Sequence, residues 1–395
     1  MNYLVAADRF ALDSPGGAWG IAWELAKLML ARGHAVSMLC GSTDADPPPG
    51  PSNVEGVEVI RYRYPRSEAW NPARLRLHVR AAFEAGRSSL SNRSWDLVHV
   101  HTPAAGRAAW DLARLRGARM IYTVHSPARA EQRINWAGRS WPARLKRVLG
   151  LPLVGRAELG LLNDAALVHV LSGFTERALF KEYGSRLRRP VLTVPWWAPE
   201  ARFEPIASVR ERLGWPPAAF KVFTLRRLVP RMGLDVLLEA TARAGEGLFV
   251  AIGGDGPERA RLESQASALG LGDRVRFLGR VSDEDARACY SACDAFALPT
   301  RELECFGIPA LEAMAYGKPV LGSDAGAIPE VVGSVLAEWI FRAGDPAALA
   351  SLLARARDGA LRRPTGAELA AHAATAYARP RLQDTYVRML ERVAA

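Results

Sequence analysis

The chain has 395 residues, 49% of them hydrophobic and 24% charged, which supports two or three packed domains and excludes a disordered or low-complexity protein. No apolar run reaches the roughly 18 residues that a spanning helix needs, and Met1 to Asp8 lacks the basic start and apolar core of a signal peptide. The formal net charge of +11 calls for an anionic partner: nucleic acid, an anionic membrane face or an anionic substrate.

The expectation is a cytoplasmic protein. No zinc finger, basic zipper or RNA-binding aromatic signature is present, so no nucleic acid is expected as a partner. Four cysteines make no disulfide framework in a chain of this length. Cys289 and Cys293, on one predicted helix with no further ligand nearby, read as packed thiols.

In chain order, Tyr3 to Ala7 reads as a strand and Asp13-Ser-Pro-Gly-Gly17 as its loop. An amphipathic helix follows through Trp23, Leu25, Leu28 and Met29, ended by Gly33-His34, and Val36 to Leu39 continues as a strand. Gly16 and Gly17 either turn the chain before the helix cap or let a ligand approach the backbone closely. Thr43 to Gly56 is polar and proline-rich, hence a loop. Its Asp44-Ala-Asp46 sits among prolines rather than at a strand end, so no metal is expected there.

Asp96 to His101 and Met120 to Ser126 are apolar strands that each close on a histidine. A histidine just past the carboxyl end of a parallel strand faces the crevice where α/β sheets bind ligands, which makes His101 and His125 candidates. His99 is placed on the other side of the pleat or in the core. Residues 129–156 differ in composition: Arg129, Arg133, Arg139, Arg144, Lys146, Arg147 and Arg156 interleave with Trp136, Trp141, Leu145, Val148 and Leu149. Such a helix packs its apolar side on the domain, rests on an anionic membrane or grips an anionic acceptor.

Ala165 to Ser172 and Val191 to Pro195 are further strands around a helix from Gly173 to Tyr183. Glu200 to Arg210 has the composition of a linker, with a domain boundary near residue 200. The strand Lys221 to Leu225 runs into Arg226-Arg-Leu-Val-Pro-Arg-Met-Gly233, and the strand Leu248 to Ile252 into Gly253-Gly-Asp-Gly256. That glycine turn lacks the dinucleotide pattern, so NAD is not expected. Two alanine- and arginine-rich helices are expected over residues 345–395.

The richest stretch is Asp294 to Glu330. A strand closed by Pro299 leads through a polar loop to a helix with Ile308, Leu311, Met314 and Ala315 at helical spacing, stopped by Gly317 and Pro319. Glu304 lies on the loop and Glu312 about one turn into the helix, at about 1.5 Å rise per residue. The unpaired N–H groups of Phe306, Gly307 and Ile308 lie between them. A helix start attracts an anion and carboxylates bind hydroxyls, so a ligand with phosphates in its middle and polyols at its ends fits: a nucleotide-sugar.

Glu304-Cys-Phe-Gly-Ile-Pro-Ala-Leu-Glu312-Ala-Met resembles the two-glutamate motif of retaining glycosyltransferases of family 4. The match continues through Gly317-Lys-Pro-Val and Ser323-Asp-Ala-Gly-Ala-Ile-Pro-Glu330. The resemblance is strong in the second half and weak over residues 40–95 and 126–165. It implies an α/β protein of the GT-B fold, two Rossmann-like domains facing across a cleft. Residues 1–200 would be the acceptor domain, rejoined by the last helix at about 380–395, and residues 201–379 the donor domain.

By that resemblance a sugar passes from a nucleotide-sugar donor to a hydroxyl acceptor, glycan or lipid-linked, with retention and with no metal or other cofactor. His125 would orient the sugar, Glu304 bind its hydroxyls and Glu312 the ribose. Arg227 and Arg231, with Phe306, Gly307 and Ile308, would hold the diphosphate as it leaves. Gly279, Arg280 and Val281 would hold the base, Gly17 the donor phosphate, and Gly16 and His101 would lie at the cleft. Two departures stand out: Met232 replaces the family's lysine five residues after Arg227, and Trp196-Trp197 replaces an asparagine-glycine turn. Arg231 or Arg226 is left to supply the missing charge. The alternatives are a binding protein that kept the fold without turnover, or a sugar-nucleotide epimerase or phosphorylase of the same fold. For residues 129–156 the implied partner is an anionic membrane, at its inner face.

Overall fold

Short apolar runs bounded by polar turns become the strands of two sheets. The computed structural model describes residues 1–13, 17–42, 47–64, 72–137, 141–201 and 206–395; Gly16, Asp44 to Asp46 and Arg139 lie outside the described residues. The chain divides into two units, Met1–Pro195 with Pro380–Ala395, and Trp196–Arg379.

The first unit contains β1 (Asn2–Ala7), β2 (Ala35–Ser42), β3 (Gly50–Val54), β4 (Val57–Arg63), β5 (Leu97–Val100), β6 (Arg119–Val124), β7 (Leu167–Val170) and β8 (Val191–Thr193). They order as β3-β4-β2-β1-β5-β6-β7-β8, so the winding reverses between β1 and β5. Every neighbour is parallel except β3 on β4. That hairpin corrects the reading of residues 43–56 as loop throughout. Glu55 and Gly56 both take positive φ, 50° and 86°, the two-residue turn that folds Gly50–Val54 back antiparallel.

The second unit contains β9 (Phe220–Leu225), β10 (Leu248–Gly253), β11 (Val275–Gly279), β12 (Ala295–Leu298), β13 (Val320–Ser323) and β14 (Ile340–Phe341). All are parallel in the order β11-β10-β9-β12-β13-β14, with the reversal between β9 and β12. Beyond β14 there are three helices rather than the expected two: Pro346–Arg357, Gly366–Ala376 and Arg379–Ala394. The middle one is set off by a capping box between Thr365 and Glu368. The last one belongs to the first unit. There Tyr386 donates to the Val194 carbonyl at 3.1 Å and Asp384 pairs with Arg32 at 2.6 Å.

The first sheet carries an unusual polar stripe. His99 and His101 are two residues apart and therefore share a face of the pleat, so of the two places expected for His99 the structure takes the buried core and not the opposite side; their ring centroids are 4.2 Å apart. Thr123 stands opposite His169 in register on that face. His169 Nε2 is 3.0 Å from the Val194 carbonyl, which can only accept, so Nε2 carries the proton and Nδ1 accepts from Thr123 at 2.9 Å. Thr123 in turn accepts from His99 Nε2 at 2.6 Å, and His99 Nδ1 accepts from the Tyr3 hydroxyl at 2.6 Å. Every member is satisfied in the neutral state. Burial, with neighbouring histidines adding to it, holds His99 and His101 well below the usual histidine range; burial holds His125 at about 3 and His169 at about 4.

The sign of the acid response follows. The unfolded chain binds protons on these histidines below pH 6.5 and the folded chain does not, so each removes about 1.4 kcal/mol of stability per pH unit as pH falls from 6.5 toward its folded value. Glu158 and Glu312, whose pKa values are raised by burial, act in the opposite sense, but they are two against four. The melting temperature is expected to fall from pH 6.5 to pH 5, and His169→Gln, which removes one titrating ring, to make that fall shallower; thermal melts across this range measure it.

Candidate active site

In a doubly wound sheet the loops on either side of the reversal splay apart at the carboxyl edge and leave room for a ligand. In the second unit those loops follow β9 and β12. The first begins with Arg226 and Arg227, and the second carries Thr300 and Glu304. Arg226 Nη2 lies 2.5 Å from Glu304 Oε2, and Thr300 Oγ1 donates to the same oxygen at 3.1 Å. Both ions are withdrawn from water, with side chains 4% and 13% exposed.

The backbone around this pair is tightly set. Arg226 N–H donates to the Gly253 carbonyl at 2.9 Å, and Gly254 sits at φ 117° where a Cβ would come within 1.8 Å of the Arg226 carbonyl. On the other side Gly326 packs so that a Cβ would meet the Glu304 carbonyl at 2.2 Å, while Ala327 N–H donates to that carbonyl at 2.7 Å. Leu303, with a side chain but φ 58°, is strained next to Glu304. Arg231 braces the same loop: its backbone carbonyl accepts from Arg301 N–H at 2.8 Å and its Nη1 donates to the Leu303 carbonyl at 3.2 Å.

Gly307, at φ 93°, opens the helix Ile308–Ala315, with Pro309 in its first turn as its fixed φ requires. Glu312 follows one turn in and accepts from the Tyr290 hydroxyl at 2.7 Å. Phe306 is buried edge-on against Tyr377, with ring centroids 5.9 Å apart, so its side chain anchors the loop and only its backbone is offered to a ligand. The two glutamates face opposite electrostatics. Burial pushes Glu304 up, but the Arg226 charge and hydrogen bond, then Arg231 and Thr300, outweigh it and hold the carboxyl below its usual value. At Glu312 burial, partly relieved by Tyr290 and reinforced by the Asp283 charge, raises the carboxyl to about 7.

The remaining predicted residues are placed as follows. Arg227 is exposed on the loop after β9. Gly279 ends β11 at φ 69°, its carbonyl accepting from Gly254 N–H at 2.7 Å, which sets Gly279, exposed Arg280 and half-buried Val281 at the same sheet edge as Arg226. In the first unit Gly17 is the first residue of the helix Gly17–Ala31. His101 Nδ1 and His125 Nε2 are 2.9 Å apart beyond β5 and β6, and His101 Nε2 is buried without a partner among the described residues. Thr300 and Tyr290 are site groups that motif reading did not single out, and Arg226 was named there only as an alternative to Arg231 for the missing charge. The signal for Arg226 was its position at the end of an apolar strand; nothing local marks the other two. Among the described residues no three His, Cys, Asp or Glu gather as a metal would require, and the four cysteines are free and buried.

The basic segment is split by the fold. Arg129 (3.1 Å) and Arg133 both pair with buried Glu182, and Trp136 is buried, so these residues tie the segment to the domain although the Arg133 side chain stays 48% exposed. Glu158 accepts from the N–H groups of Ala128 and Arg129 and caps the helix Ala128–Asn135. Beyond it, Trp141, Leu145, Val148, Leu149 and Leu153 are exposed alongside exposed Arg144, Arg147 and Arg156.

Two Rossmann-like units, one of them with a buried arginine–glutamate pair and a helix start at its switch point, define a sugar-transferring enzyme of the GT-B class. Residues 15–196 match Glycosyltransferase Family 4 and residues 206–366 match Glycosyl transferases group 1. The D-inositol 3-phosphate glycosyltransferase of Geodermatophilus obscurus is 31% identical over 373 residues, covering 87% of this chain and 80% of that protein. The phosphatidyl-myo-inositol mannosyltransferase of Mycobacterium leprae is 28% identical over 362 residues, covering 89% and 87%. Among solved structures, sucrose-phosphate synthase from Thermosynechococcus elongatus superposes with a TM-score of 0.80 at 23% identity, covering 99% of this chain and 98% of that one. Anabaena HepE in complex with UDP and glucose gives 0.74 at 20%, covering 99% and 100%. The chain belongs to glycosyltransferase family 4 and is a glycosyltransferase.

Glu312 titrates within reach of neutral pH, and its sign is opposite to that of a paired carboxylate. Its folded pKa of about 7 lies above the unfolded 4.5, so its stabilising contribution is complete below pH 4.5 and is lost as pH rises through 7. Glu312→Gln is expected to stabilise the free protein at pH 8 by up to about 3 kcal/mol and to change nothing at pH 4.5, read by denaturant melts at the two pH values.

Proposed function

We propose that the protein transfers a sugar, with retention at the anomeric carbon, from a nucleoside diphosphate-sugar to a hydroxyl of a glycan or lipid-linked acceptor. The observation that carries this is the ionised Glu304 held by Arg226 at the β9/β12 switch point, next to the helix start at Gly307. An ionised carboxylate there accepts from donor-sugar hydroxyls, while Arg227 and the helix N–H groups meet the diphosphate as charge develops on it. Glu312 accepts from the ribose, Gly279, Arg280 and Val281 hold the base, Gly17 approaches the donor phosphate, His125 serves the sugar, and Gly16 and His101 the acceptor side. His125, kept neutral by burial, orients the sugar as a hydrogen-bonding imidazole rather than as a cation. No side chain is assigned as nucleophile, and the leaving group is stabilised without a bound metal. The names of the relatives, which act on inositol phosphate or phosphatidylinositol, support a polyol or lipid-linked hydroxyl as acceptor.

The test is transfer from UDP-, GDP- and ADP-sugars. Product analysis by NMR is expected to show the donor's own anomeric configuration, with activity unchanged by EDTA. Glu304→Gln, which leaves Arg226 a hydrogen-bond acceptor, is expected to lower kcat/KM by about a hundredfold or more. Full activity in that variant, release of sugar phosphate or an isomerised donor would each replace this reading.

No helix among the described residues is long and apolar enough to cross a membrane. We place the protein in the cytoplasm, resting peripherally on the inner membrane face through residues 141–156. Exposed Trp141, Val148 and Leu149 enter the interface there while Arg144, Arg147 and Arg156 meet anionic headgroups. Flotation with anionic vesicles is expected to carry the protein up, neutral vesicles to leave it behind, and Val148→Glu with Leu149→Glu to abolish the difference; equal behaviour with both lipids removes the membrane assignment.

A further inference from the structure

Arg226 is buried, yet it is only partly used. Its Nη2 contacts Glu304 Oε2 at 2.5 Å and Met232 Sδ at 2.7 Å, whereas Nη1 is buried with no hydrogen-bond partner among the described residues. A guanidinium has five N–H donors, and a thioether is a weak acceptor. An orphaned charged donor inside a protein is costly unless an acceptor arrives. The surroundings select the kind of acceptor. Arg226, Arg227 and Arg231 outnumber Glu304 on these loops, and a helix start opens beside Glu304 at Gly307, so an anion is favoured over a neutral hydroxyl.

The Arg226 backbone is also fixed. Its N–H is fixed to Gly253 and its carbonyl is packed against Gly254, so the side chain leaves the strand end in one direction. Arg231, the other candidate for this charge, directs Nη1 at the Leu303 carbonyl and braces the loop instead.

We propose that Arg226 is a phosphate ligand of the donor, its guanidinium bridging Glu304 on one side and a phosphoryl oxygen of the nucleoside diphosphate on the other, in place of an amine at position 232. Met232 leaves that space to the guanidinium: its sulfur touches Nη2, so a lysine introduced there would bring its ammonium to the same spot. The proposal rests on the nucleotide-sugar reading above. It adds a positioning consequence: the group that grips the diphosphate is the one that keeps Glu304 ionised and aimed at the sugar.

Calorimetric titration of UDP, GDP and ADP, each beside its monophosphate, into wild type, Arg226→Gln, Arg226→Lys and the double variant Arg226→Gln/Met232→Lys tests it. Wild type is expected to bind one diphosphate more tightly than its monophosphate. Arg226→Gln is expected to lose about ten- to a hundredfold of diphosphate affinity and none of the monophosphate affinity. Arg226→Lys, which keeps a cation against Glu304 and so reports even if the glutamine variant unfolds, is expected to lose part of it. The ammonium that Met232→Lys adds in the double variant is expected to restore most of the loss. Unchanged diphosphate affinity in both single variants, an equal loss of both nucleotides, or no rescue by Met232→Lys overturns the role of Arg226 alone. Failure of wild type to bind any of the three diphosphates overturns the donor reading as well.

Discussion

The buried ion pair between Arg226 and Glu304 is the constraint around which the second unit is arranged. Neither ion is tolerable alone out of water, since an uncompensated buried charge costs several kcal/mol. The pair can form only because the parallel sheet reverses its winding between the strands that precede them. The surrounding backbone accepts abnormal local geometry to keep it: Leu303 at positive φ, and two glycines pressed onto the carbonyls of Arg226 and Glu304. A loop that only closed a βαβ unit would need none of this. Strain collected at one strand end is what a site held ready for a ligand looks like.

The first unit solves the burial of polar groups in the opposite way. Its sheet carries no charge pair at the histidine stripe; a one-directional chain of neutral donors and acceptors runs from Tyr3 through His99, Thr123 and His169 to Val194. The chain ends where Tyr386 of the returning C-terminal helix also reaches the Val194 carbonyl. That makes the last helix part of the polar accounting of the sheet as well as of its packing. His125, outside this chain, is held at about 3 by burial and is therefore a neutral ring near neutral pH. The two units therefore bury their polar groups differently, the second with a charge pair and the first with neutral hydrogen bonds.

Much of this was legible in the residues. Apolar runs such as Ala295 to Leu298 can only be buried parallel strands, and the proline, glycine and glutamate positions from Pro299 to Gly317 spell out a strand, a loop and a helix start. The β3–β4 hairpin was not legible, because prolines and aspartates before it dominate the composition while the turn is made by Glu55-Gly56 alone. Nor was the choice between Arg226 and Arg231: both are arginines on one eight-residue loop, and only the short helical turn Pro230–Met232 and the glycine contacts decide which faces Glu304. The histidine stripe had a signal, the tetrapeptide Leu-Val-His-Val at both residues 97–100 and 167–170, but its meaning depends on strand order, which lies beyond local pattern.

The same logic separates the basic residues that the composition presents as one group. Charge counted along residues 129–156 suggests a uniformly basic helix, yet the fold supplies an acceptor for its first part in Glu182, a buried carboxylate on a different helix. Arg129 and Arg133 are both paired with it, and with Trp136 they fix the segment to the domain. Past residue 140 no such acid is presented among the described residues, and both the arginines and the large apolar side chains turn outward together. Exposed tryptophan, valine and leucine are unfavourable in water and exposed arginines are not, and their coincidence on one short stretch is what motivates the proposed contact with an anionic membrane face. A helix that simply packed on the domain would have buried the first kind and left only the second.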